Sequence, residues 1–239
     1  MPPAAEPGTD ARHVIALAPP PTLPVIGSDE VFPVGRILCI GRNYAEHAAE
    51  MGHDPAREPP FFFAKPAHAL VPDGSTLDFP VATSDLHHEI ELVVALGSGG
   101  RDVPVDRALD LVFGYAVGLD MTRRDLQAEA KQARRPWDMA KGFDESAPCS
   151  SLRSVADVGH PDTGEIRLEI NGDTRQRGDL RQQIWSVPEA LAYLSTLVEL
   201  RPGDLLMTGT PAGVGQVRPG DRLKGHVDGV GDVAVSYRP

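Results

Sequence analysis

The chain has 239 residues, enough for one large domain or two small ones with a sizeable core. Hydrophobic content is 41% and charged content 24%, which excludes a disordered chain. A formal net charge of −11 repels phosphate backbones and argues against a nucleic-acid partner.

The first 35 residues are Pro-rich and read as an N-terminal extension with a frayed start and one or two edge strands, leaving 36–239 as a single domain. The start, "MPPAAEPGTDARHV", lacks the basic and apolar regions of a signal peptide, and no apolar run approaches the ~20 residues of a membrane span, so the chain is read as cytoplasmic. "RILCIG" predicts a short buried strand. In "NYAEHAAEMG", Asn43 can cap and Gly52 can end a helix of about two turns. "FFFAKP" predicts a strand closed by Pro66, and "HHEIELVVALG" a strand that stops at the glycines from Gly97 onward.

Further on, "DRALDLVFGYAVGLD" reads as a short helix running into a strand that ends at Asp120. "TRRDLQAEAKQARR" has helical composition, with Thr122 as N-cap. "RLEINGDTRQRG" signals a hairpin turning at Asn171-Gly172. "VPEALAYLSTLVEL" has apolar residues at helical spacing, with Pro188 in its first turn. Strands and tight turns finish the chain. The fold class is α+β, dominated by β, with 23 prolines and 24 glycines punctuating many short elements. Cys39 and Cys149 stand far apart and outside CxxC spacing, and read as reduced core thiols.

Several clusters carry chemistry. In a strand, Glu89 and Glu91 project to one face, with His87 beside them. Two carboxylates that close repel unless a cation neutralises them, and a hard divalent ion takes oxygen ligands. An exposed edge strand with both charges in water is the competing reading, but Ile90, Leu92, Val93 and Val94 favour burial. His88-Glu89 does not open an HExxH motif, because position 92 is leucine. Asp120, at a strand end, is the candidate third ligand, and equally an acid ahead of the next helix.

His47 and Glu50 lie three apart and share a helix face. A carboxylate bonded to an imidazole orients it as a base; taken alone, the pair reads as a solvated face. Lys141, among Met139, Ala140 and Phe143, suits oxyanion stabilisation, although such lysines more often snorkel. Arg124 and Gln127 are spaced to grip a carboxylate. "TGTPAGVG" lacks the signature of a phosphate loop and offers backbone N–H groups.

Taken in order, "GRNYAEHAAEMG", "FFFAKP", "LHHEIELVVALG", "GYAVGLDMTRRDLQ", "RPWDMAKGFD" and "LLMTGTPAGVG" resemble the fumarylacetoacetate hydrolase family over roughly residues 36–237. The resemblance is to its short branch of acylpyruvate and fumarylpyruvate hydrolases and related oxaloacetate decarboxylases. It implies a mixed β-sandwich roll, usually a homodimer. It implies Mg2+ or Mn2+ on Glu89, Glu91 and Asp120, the HxxE pair of a lid helix at His47 and Glu50, and the active-site lysine at Lys141. It also implies substrate contacts from Arg124, Gln127 and Thr210. The activity implied is hydrolysis of the carbon–carbon bond of a 2,4-diketo acid, with fumarylpyruvate giving fumarate and pyruvate as in gentisate breakdown. Oxaloacetate decarboxylation, a hydroxymuconate-type isomerase and a non-catalytic metal-dependent binder are the alternatives. His87 and His88 then read as supports, and His53 and Arg57 as candidate partners for the distal carboxylate of fumarylpyruvate.

Overall fold

A computed structural model describes residues 14–16, 18–45 and 58–239. Two short strands near the start, β1 (Thr22–Pro24) and β2 (Val31–Pro33), pair with each other. Their Leu23 and Phe32, with Val34, pack into the same core cluster as Ile37 and Cys39. Then follow β3 (Arg36–Gly41), β4 (Phe61–Lys65), β5 (Leu70–Pro72), β6 (Ser75–Leu77), β7 (Leu86–His88) and β8 (Ile90–Leu96). A 3₁₀ turn over Val105–Leu111 leads into β9 (Val112–Leu119), then β10 (Thr122–Arg123) and helix α1 (Arg124–Gln132). The short helix α2 (Asp138–Lys141), strands β11 (Ala147–Cys149) and β12 (Arg153–Ser154) and the single turn α3 (Val155–Val158) come next.

The hairpin of β13 (Glu165–Ile170) and β14 (Asp173–Asp179) turns at Asn171 and Gly172, with φ of 55° and 90°. Both angles are the left-handed ones a two-residue hairpin demands. Helix α4 (Val187–Leu197) starts with a capping box between Ser186 and Glu189 and has Pro188 in its first turn. Four strands close the chain: β15 (Asp204–Met207), β16 (Gly215–Val217), β17 (Arg222–Val227) and β18 (Gly231–Tyr237).

The largest sheet runs β4-β3-β15-β8-β9-β11-β5, with β12 also on β9. It is mixed: β3/β15 and β5/β11 are parallel and the other pairs antiparallel. A second sheet runs β14-β13-β17-β18-β6, and a three-stranded one runs β10-β7-β16. Leu92, Val94 and Val117 from the large sheet meet Ile166, Leu168, Leu223 and Val233 from the second, and α4 adds Leu191 and Leu194 to this main core. The opposite face of β8, with Val93 and Ala95, packs on the cluster around Ile37 and Leu23. Strand β8 is therefore buried on both faces, which explains its nearly unbroken apolar run. The β-dominated α+β roll expected from the sequence is the fold observed.

Two local expectations change. The segment "HHEIELVVALG" is two strands in two sheets, broken at Glu89. The Ile90 N–H leaves the ladder there and donates to Gln176 Oε1 at 3.1 Å. Thr122 is not the N-cap of α1. It lies in β10, its hydroxyl donates to the Asp120 carbonyl, and the helix begins at Arg124. The helix expected after Asn43, with its His47 and Glu50, and the loop carrying His53 and Arg57 fall outside the described residues.

Candidate functional site

The break at Glu89 builds the site. In the antiparallel register of β8 and β9, Ile90 faces Leu119, so the next pair outward is Glu89 and Asp120. Their backbones are joined, Asp120 N–H donating to the Glu89 carbonyl at 2.8 Å. Glu91 follows two residues on, on the same face. All three acids are buried, and one carboxylate oxygen from each lies within 4.8 Å of the others. The spacing expected of Glu89 and Glu91 and the strand-end position of Asp120 thus converge.

Cations surround the trio. Lys141 Nζ donates to Glu89 Oε2 at 2.7 Å and to Asp120 Oδ2 at 2.6 Å. The Arg124 guanidinium spans Glu89 Oε1 at 2.5 Å and Gln127 Oε1 at 2.7 Å. Lys65 Nζ lies 2.8 Å from Asp120 Oδ1 and donates to the Met121 carbonyl. The ammonium is close to Asp120 Oδ1 but poorly aligned with it, so that buried oxygen accepts no hydrogen bond among the described residues. Glu91 Oε2 instead accepts the Gly209 N–H at 2.6 Å.

Burial, and then the charges of Asp120 and Glu89, push the Glu91 carboxyl well above the usual carboxylate range. Burial alone would lower Lys141, but Asp120 and Glu89 outweigh it and hold the ammonium charged. A crowd of buried carboxylates, one oxygen without a hydrogen bond and only oxygen donors suits a hard divalent cation, and Glu89, Glu91 and Asp120 are the residues that would hold it. Burial raises the thiols of Cys39 and Cys149, the latter to about 12, so neither is a thiolate.

The loop after β15 closes one wall. Gly209 has φ of 90°, and a Cβ there would stand 2.7 Å from Asn43 Cβ, so only glycine allows this approach. Asn43 in turn donates to the carbonyls of Thr208 and Trp185 and accepts the Trp185 N–H. Thr210 lines the cavity and accepts a hydrogen bond from Gln176 Nε2 at 2.8 Å. His87 contacts Asp85 and Arg124, and burial holds His88 down to about 4, keeping it neutral against Gln176. Both histidines are supports for the site.

Lys141, Arg124, Gln127 and Thr210 therefore line one cavity with the three acids. The sequence reading did not single out Lys65 or Gln176. The one charge at the end of "FFFAKP", and an inward polar residue on the otherwise exposed β14, were the available signals.

The model of the fumarylacetoacetate hydrolase C-terminal family matches residues 36–236. The chain belongs to the fumarylacetoacetate hydrolase family. Within the family, it is similar to a crystal structure of fumarylpyruvate hydrolase from Pseudomonas aeruginosa in complex with Mn2+ and pyruvate. The two are 53% identical with a TM-score of 0.92, over 95% of this chain and 99% of that one. It is 44% identical to a fumarylpyruvate hydrolase from Ralstonia sp, over 78% of this chain and 96% of the relative. It is also 43% identical to a mitochondrial oxaloacetate tautomerase, FAHD1, from Arabidopsis thaliana, over 83% and 88% of the two chains. Among the described residues no helix is long and apolar enough to cross a membrane.

Proposed function

We propose that this chain hydrolyses the carbon–carbon bond of a 2,4-diketo acid with the help of Mg2+ or Mn2+, and that fumarylpyruvate, giving fumarate and pyruvate, is its substrate. The observation that carries the reading is the buried Glu89–Glu91–Asp120 cluster, opening into a cavity lined by Arg124, Gln127, Lys141 and Thr210. The similarity to fumarylpyruvate hydrolases supports the acyl chain.

Glu89, Glu91 and Asp120 hold the ion, which when bound supplies Lewis acidity to the 2-oxo acid. Arg124, Gln127 and Thr210 bind and orient the keto-acid end. His47, held by Glu50, takes a proton from water as that water adds to the 4-carbonyl. The bond between carbons 3 and 4 then breaks, its electron pair going to carbon 3. This releases the acyl group as a carboxylic acid and leaves the enolate of pyruvate, which is protonated at carbon 3. Lys141 stabilises the negative charge on oxygen. The proposed active form is a homodimer, checked by sedimentation.

A second reading is oxaloacetate tautomerisation or decarboxylation, favoured by an identity to the tautomerase only one point lower than to the Ralstonia hydrolase. One assay separates these reactions: absorbance of the diketo or enol chromophore is followed with fumarylpyruvate, acetylpyruvate and oxaloacetate, each with Mg2+, Mn2+ or EDTA. Hydrolysis of fumarylpyruvate with formation of fumarate, lost on chelation, is expected. Turnover of oxaloacetate alone overturns the hydrolase reading, and activity untouched by exhaustive chelation overturns the metal site.

A further inference from the structure

The cations in and behind the cavity fall into two groups. Lys65, Lys141 and Arg124 each pair with an acid of the inner cluster. Arg42 and Lys131 line the same cavity, and among the described residues neither forms an ion pair. Both instead lie over aromatic rings of the wall. Arg42 Cζ stands 5.4 Å from the centre of the Phe61 ring, and Lys131 Nζ 5.2 Å from that of Trp137. Both are half-buried, so each charge has lost water, and the nearest carboxylates, Glu58 for Arg42 and Glu89 for Lys131, act on them without direct pairing. The backbone at Arg42 is strained to place it, with φ of 57° on a residue that is neither glycine nor asparagine. Gly41 before it leaves room for the Phe61 ring, whose tip would stand 2.1 Å from a Cβ there.

Helix α1 supplies the ruler. Arg124, Gln127 and Lys131 stand at i, i+3 and i+7, on one helix face. Arg124 marks the inner end, beside Glu89. Lys131 lies seven residues further along the axis, about 10 Å. A seven-carbon diketo acid with a carboxylate at each end spans roughly 7 to 8 Å when extended, a length that flexible lysine and arginine side chains readily bracket.

We propose that Arg42 and Lys131 form a subsite for a second carboxylate, so that the cavity selects keto acids whose acyl end is itself anionic. This rests on reading the cavity as a keto-acid site, and it places distal recognition on the cavity wall rather than on His53 and Arg57. Arg135, which lines an adjoining hollow with Phe62 and Trp137 and is exposed, serves as the control cation.

The test is calorimetric titration of the Mn2+-loaded protein with 2-oxoheptanedioate and with 2-oxoheptanoate. These ligands share the 2-oxo acid head and chain length, differ only at the distal carboxylate, and lack the 4-carbonyl that hydrolysis needs. The dioate should bind about tenfold or more tightly to the unaltered protein, as expected for charge-assisted hydrogen bonds. Lys131→Met and Arg42→Asn (asparagine tolerates the left-handed backbone) should each reduce that preference, and the double variant should remove it. Affinity for 2-oxoheptanoate should hold in all of them, and Arg135→Ala should change neither ligand. No preference in the unaltered protein, a preference surviving the double variant, loss of preference in Arg135→Ala, or equal weakening of both ligands each overturns the subsite. Fumarylpyruvate turnover is measured on the same preparations. A preference without hydrolysis overturns the proposed reaction and leaves the subsite standing; hydrolysis without a preference does the reverse.

Discussion

His88 Nδ1 and Gln176 Oε1 are 2.8 Å apart, and the backbone partners of Gln176 decide which of the two atoms donates. Gln176 Nε2 donates to the Pro211 carbonyl, which can only accept, while Gln176 Oε1 accepts from the Ile90 N–H, which can only donate. The amide cannot be flipped, so His88 must carry its proton on Nδ1. One glutamine thus ties the strand break at Glu89 to Thr210. Replacing it with leucine leaves these buried groups unsatisfied and should destabilise the fold by about 2–4 kcal/mol. Urea denaturation of Gln176→Leu checks this, and an unchanged midpoint would contradict the role.

The crowding of Glu91 against Asp120 and Glu89 makes a prediction with two signs. Without metal, Glu91→Gln removes a buried like charge and should leave the protein at least as stable as the parent. With Mn2+ at a hundred times its dissociation constant, the parent should gain about 2.7 kcal/mol and Glu91→Gln much less. Thermal unfolding with and without Mn2+ reads both. A full Mn2+ shift in the variant would remove Glu91 from the ligand set.

Lys141 shares Glu89 and Asp120 with any cation that binds there. Lys141→Met should therefore tighten Mn2+ binding, by about tenfold, while lowering kcat for fumarylpyruvate by about 10²-fold or more. Calorimetry and steady-state kinetics measure the two effects. Weaker Mn2+ binding would mean that the lysine serves to hold the carboxylates in place.

His47 separates the competing reactions. His47→Ala should abolish hydrolysis, which needs an activated water, and largely spare oxaloacetate decarboxylation, which does not. Hydrolysis that survives the change would refute the assignment of the base.

Asp179 caps the turn leading to Gln183 and Trp185, and accepts the Arg181 N–H at 3.0 Å. The Arg181 side chain and that N–H hold its carboxyl down, from 3.8 to about 2. The folded pKa is depressed, so its stabilisation is complete above about pH 4 and disappears as pH falls through 2. Asp179→Ala should cost about 1 kcal/mol at pH 7, with the deficit shrinking on acidification toward pH 2. A deficit constant with pH would exclude the ionised cap.

The sequence by itself determined what short-range rules control. Alternation and turn residues specify the β13–β14 hairpin at Asn171-Gly172, and helical spacing with Pro188 in the first turn specifies α4. The period of two in a strand put Glu89 and Glu91 on one face, and the order of the motifs pointed to Asp120, Lys141, Arg124, Gln127 and Thr210. Only the tertiary structure decided where "HHEIELVVALG" breaks, because Ile90 exchanges its ladder partner for a glutamine 86 residues away. The same holds for Lys65, whose partner Asp120 lies at the end of a different strand, and for the sorting of four cavity cations into paired and unpaired. A buried charge takes the partner that packing brings to it, and strand register and sheet order set that packing through contacts that no local window of sequence contains.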